Sequence, residues 1–125
     1  MDSGATLEEL REICRRFRDE RDWKQYHNLK DMTLAMAIEV AEVLEHVRFK
    51  DLEEIKTYLA DSDNRREVGH ELADVLYFLL LISDEIGIDL AEAFEEKMEI
   101  AARKYPVELA KGRNLKYTDL DRERG

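Results

Sequence analysis

Eight consecutive residues, Val75-Leu76-Tyr77-Phe78-Leu79-Leu80-Leu81-Ile82, are apolar in a chain of which 40% is charged. A run of that length suits either a fully buried strand or a buried stretch of helix. The rest of the chain decides between them. Its 125 residues include one proline and five glycines, too few breakers for the turns of a sheet and well suited to long helices. As a helix, the run is apolar on every face and must be covered on every face. One small domain can hardly do that, so a dimer or a dimer of dimers is expected.

Caps and spacing mark the other helices. Thr6 and Glu9 form a capping-box pattern, and Leu7, Leu10, Ile13, Cys14 and Phe17 follow at helical spacing, which predicts a helix over 7–20. Residues 21–30 have no helical period and read as a loop rich in aromatic groups. Asn28 can cap a helix over 29–48, with Met32, Met36, Ile38, Val40, Val43, Leu44 and Val47 as its apolar positions. A shorter helix is expected over 52–60 and a turn at 61–64. A third long helix runs from there to Ile86 and closes at Gly87. Asp89 and Glu92 cap a fourth, which ends before Pro106. The tail over 106–125 has little period and reads as a peptide laid over the bundle. The expectation is one all-α domain of four-helix-bundle type over 1–125, mobile at 1–6 and about 119–125.

Charge and composition narrow the function classes. No stretch reaches the ~18 uncharged apolar residues of a membrane span, and the start lacks a charged-then-apolar signal pattern. The single Cys14 cannot form an internal disulfide, which fits a reducing cytoplasm. A net charge of −10 argues against general nucleic-acid binding, since the phosphate backbone would be repelled. Yet Lys97, Arg103, Lys104, Lys111, Arg113 and Lys116 face only Glu99 and Glu108 within 97–116. A local basic segment can hold one end of a small polyanion whose other end metal ions bridge to carboxylates. A solvated tail would look the same.

The informative acids are those inside apolar faces. Glu39 has Ala35 and Met36 one turn before it and Val43 one turn after, and Glu42 follows on the same side. Glu71 and Asp74 are likewise one turn apart, and Asp74 leads up to Tyr77, Phe78 and Leu81. Carboxylates are rarely buried unless paired or bound to metal. Two such pairs suggest a shared cation site, and hard oxygen ligands favour Mg²⁺. Chance pairs on solvated faces are the competing explanation, and Glu8, Glu9, Glu53 and Glu54 need no other. A di-iron bundle would require two Glu-x-x-His motifs. Only Glu67-Val68-Gly69-His70 supplies one.

Glu39-Val40-Ala41-Glu42, a gap of 28 residues, and Glu71-Leu72-Ala73-Asp74-Val75-Leu76-Tyr77 together resemble a known signature. It is the ExxE…ExxD pattern of the all-α nucleoside triphosphate pyrophosphohydrolases, the MazG-like superfamily. The dCTP pyrophosphatase branch is matched further. Glu20 to His27 (ERDWKQYH) is similar to its ERDWxQFH, and Phe49-Lys50 falls where it has Trp-Lys. Arg103-Lys104-Tyr105-Pro106 and Lys116-Tyr117-Thr118 are similar to its later motifs. The resemblance spans roughly 7–120.

The resemblance implies Glu39, Glu42, Glu71 and Asp74 as Mg²⁺ ligands and the catalytic set acting through that metal. It implies Trp23, Lys24, Gln25, Tyr26 and His27 at the nucleoside, with Phe49 and Phe78 stacking on or walling the base. Lys97, Arg103, Lys104 and Lys116 would neutralise the β- and γ-phosphates. The implied reaction converts a (d)NTP and water into a (d)NMP and pyrophosphate, with dCTP or a modified dCTP as substrate. Four departures bear on the base: Cys14 for a frequent His, Phe49 for Trp, Phe78 for Tyr, and Ala101 for Asn. Action on dUTP or a damaged purine nucleotide is therefore an alternative. A helical adaptor without catalysis is an alternative of another class.

Overall fold

The computed structural model describes residues 3–124; Met1, Asp2 and Gly125, at the ends expected to be mobile, lie outside them. The chain divides into two compact units, one up to Gly87 and one from Ile88. Among the described residues every regular element is helical.

In the first unit, α1 (Leu7–Glu20) and α2 (Leu29–Val47) are joined by a loop holding one 3-10 turn, Lys24–Tyr26. Then come α3 (Leu52–Ala60) and α4 (Ser62–Ile86). Side chains set the starts: Thr6 Oγ1 accepts from the Glu9 N–H, Asn28 Oδ1 from Asp31, and Asp51 Oδ1 from Glu54. The turn expected at 61–64 does not exist as a separate element. Asp61 closes α3, and its carboxylate accepts from the N–H groups of Asp63 (2.9 Å) and Asn64 (3.1 Å). One aspartate thus ends one helix and starts the next. Gly87 ends α4 at φ +71°, a left-handed conformation natural to glycine.

Helix α4 packs most extensively on α2 and also on α1 and α3. Its Leu80, Leu81 and Ile82 are buried, as are Met32 of α2 and Cys14 of α1. Coverage of the apolar run is incomplete. Val75 to Phe78 are half-buried and Leu79 is exposed. Leu34, Ile38, Val40 and Leu44 of α2 and Leu72 of α4 also remain exposed.

Helix α1 is anchored differently from its apolar pattern. Leu7, Ile13 and Phe17 stay exposed, while Arg11 and Arg18 are buried. Arg11 Nε donates to Ser83 Oγ (3.2 Å), and Ser83 Oγ donates in turn to the Leu80 carbonyl (2.7 Å). Arg15 Nε and Arg18 Nη1 donate to the two carboxylate oxygens of Asp84, at 2.7 and 3.0 Å. Burial alone would raise the Asp84 carboxyl, but these two guanidinium bonds outweigh it and hold it below its usual range. Arginines at 11, 15 and 18 share one helix face, so one acid on α4 fixes the rotation of α1.

In the second unit the tail, expected to be irregular, holds two short helices. Capped by Asp89, α5 (Leu90–Lys104) is followed by α6 (Val107–Ala110) and α7 (Tyr117–Arg124). Leu120 of α7 is buried, the Tyr105 and Tyr117 rings meet edge to face at 6.3 Å, and Arg113 forms a bidentate pair with Glu123. A leucine, two tyrosines and one ion pair are too sparse to give a sequence period, which is why the tail looked irregular.

Candidate active site

Because α2 and α4 lie side by side, the two acidic pairs meet. Carboxylate oxygens of Glu39, Glu71 and Asp74 all lie within 4.8 Å of one another. Glu42, one turn beyond Glu39 on α2, is exposed and outside that closest set, yet its charge still acts on Glu39. Partial burial raises the Glu39 carboxyl above its usual range, and the charges of Asp74, Glu71 and Glu42 and a hydrogen bond with Glu71 raise it further. Among the described residues, the basic group within 4.0 Å of these four carboxylates is the His46 imidazole, 3.9 Å from Glu71. Clustered carboxylate oxygens fit a hard cation such as Mg²⁺. Glu67 and His70 are exposed on α4 and outside the cluster, so the Glu-x-x-His motif does not join the three converging carboxylates.

A cavity of about 390 Å³ opens beside the acids, lined by Ile13, Cys14, Phe17, Trp23, Ala73, Asp74 and Tyr77. Asp74 thus belongs both to the carboxylate cluster and to the cavity wall. Phe17 meets Trp23 edge-on at 5.7 Å and Tyr77 at 6.0 Å, and the Arg21 guanidinium lies 3.7 Å over the Phe17 ring. The loop is held to α1 where Trp23 N–H donates to the carbonyl of buried Arg18 (3.1 Å). Burial pushes both the Cys14 thiol and the Tyr77 phenol up, so both stay protonated at neutral pH.

Of the residues expected at the nucleoside, only Trp23 lines this cavity. Lys24, Gln25 and Tyr26 form the exposed 3-10 turn, where Gln25 bonds back to Asp22. His27 Nδ1 is buried without a hydrogen-bond partner. Phe78 packs against Tyr77, and Phe49 is 90% exposed at φ +65° with the Arg48 guanidinium over its ring. Phe17 and Tyr77 wall the cavity instead. Tyr77 lies one turn on from Asp74 and Phe17 one turn on from Cys14, a spacing that could have singled them out.

The expected phosphate-neutralising cations all belong to the second unit. Lys97 is exposed on α5, Arg103 and Lys104 lie in its last turn, and Lys116 precedes α7. Lys104 Nζ sits 4.7 Å over the Tyr117 ring.

The fold and site are those of an all-α protein with acidic pairs on two packed helices beside an apolar cavity. The chain belongs to the MazG-like family, whose profile matches residues 34–120. The dCTP pyrophosphatase 1 of Bos taurus is 36% identical over 118 residues, covering 94% of this chain and 70% of the bovine protein. That of Homo sapiens is 36% identical over 115 residues, covering 92% and 68%. A solved pyrophosphatase from Archaeoglobus fulgidus aligns with a TM-score of 0.75 at 39% identity, covering 85% of this chain and 97% of that one.

Proposed function

We propose that the chain is a nucleoside triphosphate pyrophosphatase that converts a (d)NTP and water into a (d)NMP and pyrophosphate. The observation that carries this is Asp74, shared by the carboxylate cluster and the apolar cavity. A nucleoside in the cavity would leave its phosphates at the acids. Glu39, Glu42, Glu71 and Asp74 would hold Mg²⁺, which supplies Lewis-acid stabilisation of charge on the phosphoryl oxygens. The carboxylates also orient the attacking water toward the α-phosphorus, where the bond to the β-phosphate breaks. Trp23, Phe17 and Tyr77 wall the base, exclude water and fix its distance from the acids.

Named relatives that act on dCTP favour dCTP or a modified dCTP as substrate. The protonated Cys14 and Tyr77 supply one weak and one strong polar contact in the cavity wall. Turnover on a panel of canonical and modified dNTPs and NTPs tests the preference. A best substrate among uracil or damaged purine nucleotides would replace dCTP, and no cleavage of any would favour the adaptor.

Trp23 carries a sharper test. Stacking contributes on the order of 1–3 kcal/mol per base. Trp23→Ala is therefore expected to raise KM for the best substrate about tenfold, equivalent to ~1.4 kcal/mol, with a smaller change in kcat. Trp23 is the sole tryptophan, so its fluorescence should also respond to saturating nucleotide. Indifference of both KM and fluorescence would place the base elsewhere.

The exposed apolar residues of α2 and α4 support assembly as a dimer or a dimer of dimers. Light scattering at micromolar concentration should give at least twice the 14.8 kDa chain mass. A folded species of 14.8 kDa would contradict this.

A further inference from the structure

We propose that His46 is a positioning residue for Glu71, and that Tyr58 sets the tautomer with which it acts. This rests on the carboxylates forming a cation site. His46 follows Glu39 and Glu42 on one face of α2, at the i, i+3 and i+7 spacing. Its Nδ1 lies 2.6 Å from the Tyr58 hydroxyl on α3, and its Nε2 lies 3.9 Å from Glu71 Oε1 on α4. Little of either side chain meets solvent: 12% of His46 and 24% of Glu71 are exposed. The three side chains therefore form a line from α3, through α2, to the metal-ligand candidate on α4.

The tautomer follows from what each end faces. If Nδ1 carried the proton and donated to Tyr58, the Nε2 lone pair would face a carboxylate in a poorly solvated space. Two acceptors facing each other there are unfavourable. If the Tyr58 hydroxyl donates to Nδ1, the proton sits on Nε2 and points toward the Glu71 anion. The second arrangement pairs Nδ1 with the hydroxyl and turns the Nε2–H dipole toward Glu71, an electrostatic attraction at 3.9 Å and not a hydrogen bond, and the hydroxyl of Tyr58 selects it. An Nε2–H dipole facing Glu71 favours carboxylate orientations that keep Oε1 toward the imidazole, leaving the lone pairs of Glu71 to the site shared with Glu39 and Asp74. Outer partners of metal ligands act in this way, and losing one typically costs 10–100-fold in metal affinity or activity.

Two measurements test this. Long-range ¹H–¹⁵N NMR of the neutral His46 ring in the unmodified protein should place the proton on Nε2, and Tyr58→Phe should weaken that preference. A proton on Nδ1 overturns the proposal, even if no His46 variant folds. Mn²⁺ titration by electron paramagnetic resonance gives a second readout, independent of turnover. His46→Leu should bind Mn²⁺ about tenfold more weakly, and at saturating Mn²⁺ should lower kcat with little change in KM. His46→Gln, whose amide N–H₂ can reach Glu71, should recover most of both. Unchanged Mn²⁺ affinity in a folded His46→Leu variant overturns the positioning role while leaving the cation site standing. Failure of the unmodified protein to bind Mn²⁺ removes the cation site and this proposal with it.

Discussion

Glu39→Gln and Asp74→Asn are each expected to lower turnover by about 100-fold or more, a loss of ~3 kcal/mol of transition-state stabilisation. Each removes one negative charge from carboxylates whose oxygens converge within 4.8 Å. The folded protein should not suffer. Glu39 is held above its usual carboxyl range by burial and by its acidic neighbours, so the metal-free cluster repels itself. Neutralising one member relieves that repulsion, and Tm without metal should be equal or higher in both variants. Added Mg²⁺ should then stabilise the unmodified protein more than either variant, because ligand binding to the folded state raises its stability. Turnover near normal at modest Mg²⁺ would remove these residues from the site. Lost activity accompanied by a lowered Tm would point to misfolding instead.

The opposite signature is expected at Asp84. Its carboxylate receives Arg15 and Arg18, and Arg18 is 3% exposed. Asp84→Ala removes one charged hydrogen bond from each of Arg15 and Arg18 and leaves buried Arg18 with Asp19 as its remaining carboxylate, a loss of about 3 kcal/mol. For a domain of this size that lowers Tm by on the order of 10–20 °C. The pH dependence has a definite sign. Asp84 is depressed in the folded protein, so its contribution is complete above its unfolded value of about 3.9 and is lost as pH falls through the lower folded value. The stability gap between the unmodified protein and Asp84→Asn should therefore be constant near neutrality and shrink below about pH 4. Denaturant unfolding at a series of pH values measures it. A gap absent at pH 7 would mean that solvent already screens the pair.

Local signals were legible where one residue does a local job. Thr6, Asn28 and Asp89 start their helices, and Gly87 ends α4, because capping depends on atoms three or four residues away. The meeting of the acidic pairs was legible for a related reason. One-turn spacing put each pair on one face, and the apolar neighbours of Glu39 directed that face inward. What stayed hidden depends on partners distant in sequence. Nothing in the spacing singles out Arg11 and Arg18, whose partners Ser83 and Asp84 lie more than sixty residues away. Tyr77 and Phe17 read as core residues, yet they wall a cavity because α1 crosses α4 beside Trp23. Asp61 read as part of a turn because one side chain both ending and starting a helix leaves no gap for a sequence period to show. His46 stands in no Glu-x-x-His motif, and only the approach of α3 and α4 gives it Tyr58 and Glu71 as neighbours.

Hydrolysis in ¹⁸O-labelled water, followed by mass spectrometry and ³¹P NMR, tests most directly whether these carboxylates serve a pyrophosphatase. With Mg²⁺ and dCTP, the products should be the monophosphate and pyrophosphate in equal amounts. The label should appear in the monophosphate, since water adds at the α-phosphorus. Asp74→Asn should lower both products together, in the same proportion. A diphosphate with orthophosphate, label in the pyrophosphate, or no cleavage of any nucleoside triphosphate would contradict this assignment.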